Sequence, residues 1–275
     1  MEKPYVISEE LDMIDSSYIQ NNNVNEFREG LDTDLRNMNK DTVWISSSDI
    51  RQGLEKVAGR TSVPIVSLDD RYMSSADIMV GISRGVDQNL NDVGYMPRVG
   101  YPSICEQLDK VTRLGSEVVL VDDVIFSGDM ILSIVQELQR RKVKVGAVAC
   151  GVLIGEGGAK INASGIDINA VRAFDDVEDE ICERDFAVVP GSGRRIESVG
   201  ANALYFSSQF GKPAKWASIP DGSVNEFSAN SFVRSANLVN LSVNMQTIGR
   251  FYGLRYNGNA RQILLNNVAQ LERTN

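Results

Sequence analysis

A chain of 275 residues, 43% hydrophobic and 24% charged, has the composition of a soluble globular protein, with length for one large domain or two small ones. Its 28 Lys and Arg against 37 Asp and Glu leave a net charge of -9, so neither nucleic acid nor a membrane is an expected partner. The absence of histidine excludes Ser-His-Asp and Cys-His catalysis, His-ligated zinc and an imidazole base. Cys105, Cys150 and Cys182 form no metal-binding or redox spacing and read as reduced thiols. The first residues carry no apolar leader, and the longest apolar run, 145–155, is about half a membrane span. A cytoplasmic protein is expected.

Residues 1–40 are polar and read as short helices and loops outside the core. Residues 42–46 read as a strand, and Ser48 caps a helix to about Ala58 with Ile50, Leu54 and Val57 on one face. Residues 63–68 and 77–82 are short apolar strands, followed by a helix over 103–114. The spacing then predicts a strand over 117–121, a helix over 129–141, a strand over 143–154, a helical turn near 158–164 and a strand over 166–174. Apolar strands alternating with helices predict an α/β fold with a parallel sheet flanked by helices. The acid-rich run 175–185 reads as a solvated helix face, Pro190-Gly-Ser-Gly193 as a turn, and Asn259 as the cap of a last helix. The expected division is an N-terminal segment 1–60, a core 61–175 and a C-terminal extension 176–275 docked on that core.

Chemistry concentrates in Glu117-Val-Val-Leu-Val-Asp-Asp-Val-Ile-Phe-Ser-Gly-Asp-Met130. A buried strand delivers Asp122 and Asp123 to its carboxyl end, where open α/β sheets bind ligands. Ser127 and Gly128 follow, and a helix starting near Asp129 points its N-terminal amides at the same place, which suits an anion. Hydroxyl acceptors beside an anion cradle fit a sugar phosphate.

This segment resembles the type I phosphoribosyltransferase signature of four apolar residues, two acids, two apolar residues and a Thr/Ser-Gly-x-Thr loop. It departs from that pattern at Met130, where a hydroxyl residue is usual. The resemblance implies that Asp122 and Asp123 hold the ribose hydroxyls of phosphoribosyl pyrophosphate (PRPP), and that Val124, Ile125, Phe126, Ser127, Gly128, Asp129 and Met130 form the 5′-phosphate loop. Asp77-Ile-Met-Val-Gly-Ile-Ser-Arg-Gly85 is similar to the family's pyrophosphate loop, with Ser83, Arg84 and Gly85 as binding residues and Val86 where a second Gly is usual. Residues 94–113 occupy the position of a mobile catalytic loop, with Arg98, Lys110 and Arg113 as candidate cations. Around this core, terminal elaborations would form a hood that recognises the acceptor.

The implied activity is Mg²⁺-dependent transfer of the phosphoribosyl group of PRPP to a nucleobase-like nitrogenous acceptor, with release of pyrophosphate. Catalysis is then positioning and charge stabilisation of an oxocarbenium-like centre, with Asp122, Asp123 and Arg84 as catalytic residues and Asp122 as metal ligand. The alternative is a non-catalytic PRPP- or nucleotide-sensing protein of the same fold. PRPP and a small acceptor are the expected partners, and a homodimer is possible.

Other readings are weaker. A receiver domain carries its acidic pair on the first strand, a haloacid dehalogenase needs Asp-x-Asp, and Gly155-Glu-Gly-Gly158 reads as a loop at a strand end. Arg84 has a surface reading. Gly128→Val is expected to cost ligand affinity far more than stability. Arg194, Arg195, Tyr205, Phe206, Phe210 and Trp216 are candidates for the acceptor side, with packing as the competing role of each aromatic.

Overall fold

The computed structural model describes residues 3–58, 62–197 and 202–239. The helix expected from Asn259 lies outside them. From the N-terminus run β1 (Tyr5–Ser8), α1 (Val24–Asn37), β2 (Thr42–Ile45) and α2 (Ser47–Ala58). Next come β3 (Ile65–Ser67), β4 (Ile78–Met79), β5 (Ile82–Val86), β6 (Asp92–Pro97) and α3 (Ile104–Val111). The middle continues with β7 (Glu117–Ile125), α4 (Asp129–Arg140), β8 (Lys144–Ile154), α5 (Gly155–Ala163) and β9 (Asp167–Phe174). The last part holds β10 (Asp179–Cys182), β11 (Arg194–Ile196), β12 (Asn202–Ala203), α6 (Pro213–Trp216) and α7 (Val224–Leu238). No described helix is long and apolar enough to cross a membrane.

Contacts divide the chain into two compact units that interleave in sequence. One comprises Ile45–Ser83 and Tyr95–Val177, the other Met1–Trp44, Arg84–Gly94 and Glu178–Asn275. The first is built on a five-stranded sheet of order β4-β3-β7-β8-β9. Every pairing in it is parallel, as the strand–helix alternation predicts. Val118 and Leu120 of β7 join a core with Leu108 and Val111 of α3 and with Ile131, Ile134, Val135 and Leu138 of α4. Val119 and Val121 are buried as well, so the strand is covered on both faces. Helix α2 packs on β8 and β9. Gly53 makes that approach possible, since a Cβ there would lie 2.3 Å from a Val171 methyl.

The second unit has its own core. β1 lies between β10 and β2, pairing in parallel with β10 from Tyr5↔Asp179 to Ser8↔Cys182. The expectation of a coreless N-terminus is corrected here: Tyr5, Val6 and Ile7 are fully buried, and α1 buries Val24, Phe27, Leu31 and Leu35. Those four residues recur at intervals of three and four, a stripe that the polar average of residues 1–40 conceals. α1 packs against α7, where Phe227 and Phe232 meet Phe186 and Phe206 edge-on at 5.7 and 5.1 Å. The acidic run 175–185 is no solvated helix. It forms β10 and a 3₁₀ turn, Glu183–Phe186, in which Glu183 is fully buried. Its carboxylate accepts from the amides of Glu10 and Leu11 and from Nε and Nη2 of Arg28, which is why a charge sits in the core.

Candidate functional site

β7 runs four residues further than the sequence pattern predicts, pairing with β8 as far as Ile125↔Leu153. Asp122 therefore stands inside the strand and is 2% exposed, and its Oδ2 has no hydrogen-bond partner among the described residues. Asp123 is half-buried, with Oδ1 accepting the Val124 amide at 2.8 Å. Burial pushes the Asp122 carboxyl well above the usual carboxylate range, the charges of Asp123 and Asp69 push the same way, and Arg98 opposes them. The two acids thus differ: Asp123 is the more accessible carboxyl, and Asp122 is a buried group that favours its proton.

Beside β7 lies β3, in register Ser67↔Val121. The backbone continues with the Leu68 amide bonded to the Val121 carbonyl at 2.8 Å, then delivers Asp69, 1% exposed. Asp69 Oδ2 accepts the amides of Arg71 and Tyr72 at 2.9 and 2.6 Å. Arg98 holds Asp70 through Nη1 at 2.6 Å and the Ile82 carbonyl through Nε at 2.9 Å. Asp69 was not singled out from the sequence, although Leu68-Asp-Asp70 repeats the pattern of Val121-Asp-Asp123 at the end of another apolar run.

In the loop after β7, the helix starts at Asp129 as the sequence pattern predicts. Gly128 adopts φ 76° and ψ −6° and caps α4, and a Cβ there would stand 3.1 Å from the Gly157 carbonyl oxygen. Gly155-Glu-Gly-Gly158, expected as a loop, opens α5 instead. Gly157 lies so close to the Phe126 carbonyl that a Cβ would come within 2.4 Å. Ser127 Oγ donates to Asp129 Oδ2 at 2.8 Å, and Lys160 of α5 holds Asp129 Oδ1 at 3.1 Å. The Ser127 hydroxyl and Lys160 keep the exposed Asp129 carboxyl below its usual range. Ile125 is core and Met130 packs against it, so these two offer a ligand their backbone rather than their side chains.

Other expected residues fall elsewhere. Asp77–Ile82 is not one strand, because the backbone breaks at Val80–Gly81. Buried Gln107 clamps Gly81 there, accepting its amide at 2.7 Å and donating to its carbonyl at 3.3 Å. Ser83, Arg84 and Gly85 form part of β5 rather than a loop of open amides, with Gly85 opposite Arg195 of β11 and Arg84 exposed. Residues 94–113 are β6, a short connection and α3, whose Ser103–Glu106 capping box fixes the helix start. Lys110 lies in the last turn of α3, and Arg113 is exposed beyond it. The aromatics of the C-terminal part are core of their unit: Tyr205, Phe206 and Trp216 are buried and Phe210 packs against them. The Arg194 guanidinium covers the Trp216 and Tyr205 rings at 4.6 and 5.2 Å, so neither face is open to a base.

No protein-family model and no curated protein sequence matches the chain. Solved structures similar to it are phosphoribosyltransferases. An orotate phosphoribosyltransferase from Aeropyrum pernix aligns at 17% identity over 46% of this chain and 69% of its own, with a TM-score of 0.30. The orotate enzyme of Mycobacterium tuberculosis in complex with PRPP aligns at 14% identity over 46% and 72%, TM-score 0.30. An adenine phosphoribosyltransferase from Rhodothermus marinus aligns at 15% over 46% and 77%, TM-score 0.31. At these scores the functional reading rests on the geometry of β7 and its loop.

Proposed function

We propose that the β7 site binds PRPP and transfers its phosphoribosyl group to a nitrogenous acceptor. One observation carries this reading: an acidic pair on a parallel strand is followed at once by a left-handed glycine that opens the N-terminus of a twelve-residue helix. Asp123 would accept the ribose hydroxyls, with Asp122 behind it. The α4 amides and Ser127 would hold the 5′-phosphate. Ser127 and Lys160 now engage Asp129, so an arriving phosphate would take over Ser127 and compete with Asp129 for the Lys160 ammonium. Oxygen donors of this kind suit Mg²⁺: the half-buried Asp123 would hold the ion, and the unpartnered Oδ2 of Asp122 would join it on giving up the proton that burial favours. Bound there, the ion would neutralise charge on the departing pyrophosphate.

A second reading, binding without turnover, is favoured by one specific observation. Ser83–Gly85 is strand, with Gly85 in register with Arg195, where an open loop of amides was expected for pyrophosphate. The test is pyrophosphate release from PRPP with a panel of acceptors, beside calorimetry with PRPP alone. Acceptor-dependent release that disappears in Asp122→Asn/Asp123→Asn supports transfer. Saturable binding without release supports sensing, and no PRPP binding refutes both.

A further inference from the structure

In the unit built around β1, β11 carries two adjacent arginines with opposite fates. Arg194 is spent on the interior: it covers two rings, donates from Nε to the Tyr205 hydroxyl at 3.3 Å and reaches Asp92 at 3.6 Å. Arg195 is half-buried on the alternate side of the strand, opposite Gly85 of β5 and Asn202 of β12. Its Nε and Nη1 are shut from solvent and have no hydrogen-bond partner among the described residues. Every other described arginine there that is not exposed has an acid within ion-pair reach, as Arg28 has Glu183, Arg184 has Glu10 and Arg234 has Asp34. In a chain with nine surplus negative charges, an unpaired and half-desolvated guanidinium is the exception. Such a group costs free energy unless an anion meets it.

We propose that Arg195 is an anion-binding side chain, taking an oxyanion of the phosphate or carboxylate kind at the β5–β11–β12 sheet. The planar guanidinium matches two oxygens of either group. The face of β11 opposite Arg194 is where a ligand satisfies it without disturbing the ring stack. This inference stands apart from the transferase reading, because it uses no residue of β7 or α4.

The α4 loop also invites phosphate, so the readout is Arg195 itself. Its Nε–Hε signal in ¹⁵N NMR is assigned by its loss in Arg195→Lys and followed while the full chain is titrated with inorganic phosphate or with acetate. A saturable shift is expected, in phosphate, acetate or both, and the one that binds tighter names the oxyanion. Arg195→Gln weakens that binding step by at least about tenfold. Arg195→Leu, without anion, is at least as stable as the parent in urea, since it removes an unpaired guanidinium. A signal unmoved by both anions overturns the proposal. So does a clear loss of stability in Arg195→Leu, which would show that the guanidinium is satisfied inside the fold.

Discussion

Gly128→Ala tests whether the loop after β7 is built as described. At φ +76° an L side chain costs roughly 1–2 kcal/mol through its contact with the local backbone. The new methyl would also stand 3.1 Å from the Gly157 oxygen and 3.3 Å from its Cα. Gly157 cannot retreat easily, being itself pressed on the Phe126 carbonyl, so overpacking adds about 1 kcal/mol, the low end of its usual range. Alanine narrows the unfolded ensemble, which returns about 0.4–1 kcal/mol. The net expectation is a destabilisation of about 2 kcal/mol, and Val at this position would cost more. Gly128→Val is therefore expected to cost stability as well as the ligand affinity expected from the sequence. The control is Gly165→Ala, at φ +78° with nothing near its would-be Cβ. It carries the backbone cost without the contact and should lose about 1 kcal/mol less. Urea unfolding of both variants measures the difference. A Gly128→Ala protein no less stable than Gly165→Ala would refute the close approach of α5 to the loop.

Three further outcomes follow. Asp179 is half-buried, and desolvation lifts its carboxyl from 3.8 to about 6, so its contribution to stability is complete below about pH 4 and lost as pH rises to about 6. Asp179→Asn should therefore match the parent near pH 4 and exceed it by up to about 3 kcal/mol above pH 6, and a constant difference across that window would contradict the shift. Glu183→Ala leaves the buried amides of Glu10 and Leu11 without their acceptor, while Arg28 keeps Glu9 and Asp12 at 3.4 and 3.5 Å, and should cost about 2–3 kcal/mol in thermal or urea unfolding, whereas a loss under 1 kcal/mol would mean the network is dispensable. Trp216→Ala removes a buried ring stacked under Arg194 and should lose about 3–5 kcal/mol of stability, an outcome that a free base platform would not produce.

The parallel sheet was legible in residues 63–174 because strands buried on both faces must be apolar throughout, a local property that alternates visibly with helix periodicity. The acidic pair, the loop glycine and the helix start were legible for a similar reason, since a strand, its turn and the next helix start are contiguous in the chain. The α1 stripe was present in the sequence at Val24, Phe27, Leu31 and Leu35, but a low average hydropathy hid it. Tertiary structure alone decided what depends on distant partners. Asp122 favours its proton because the assembled sheet buries it, with Asp123 and then Asp69, 53 positions earlier in the chain and just past β3, adding their charge. Ser83–Gly85 became strand because β5 lies between β6 and β11, the latter more than a hundred residues later and parallel to it at Gly85 and Val86. Arg194 and Arg195 are indistinguishable in the sequence, and the pleat of β11 sends one against the rings and leaves the other without an acid among the described residues, since strand alternation assigns faces but only the assembled core determines what each face meets.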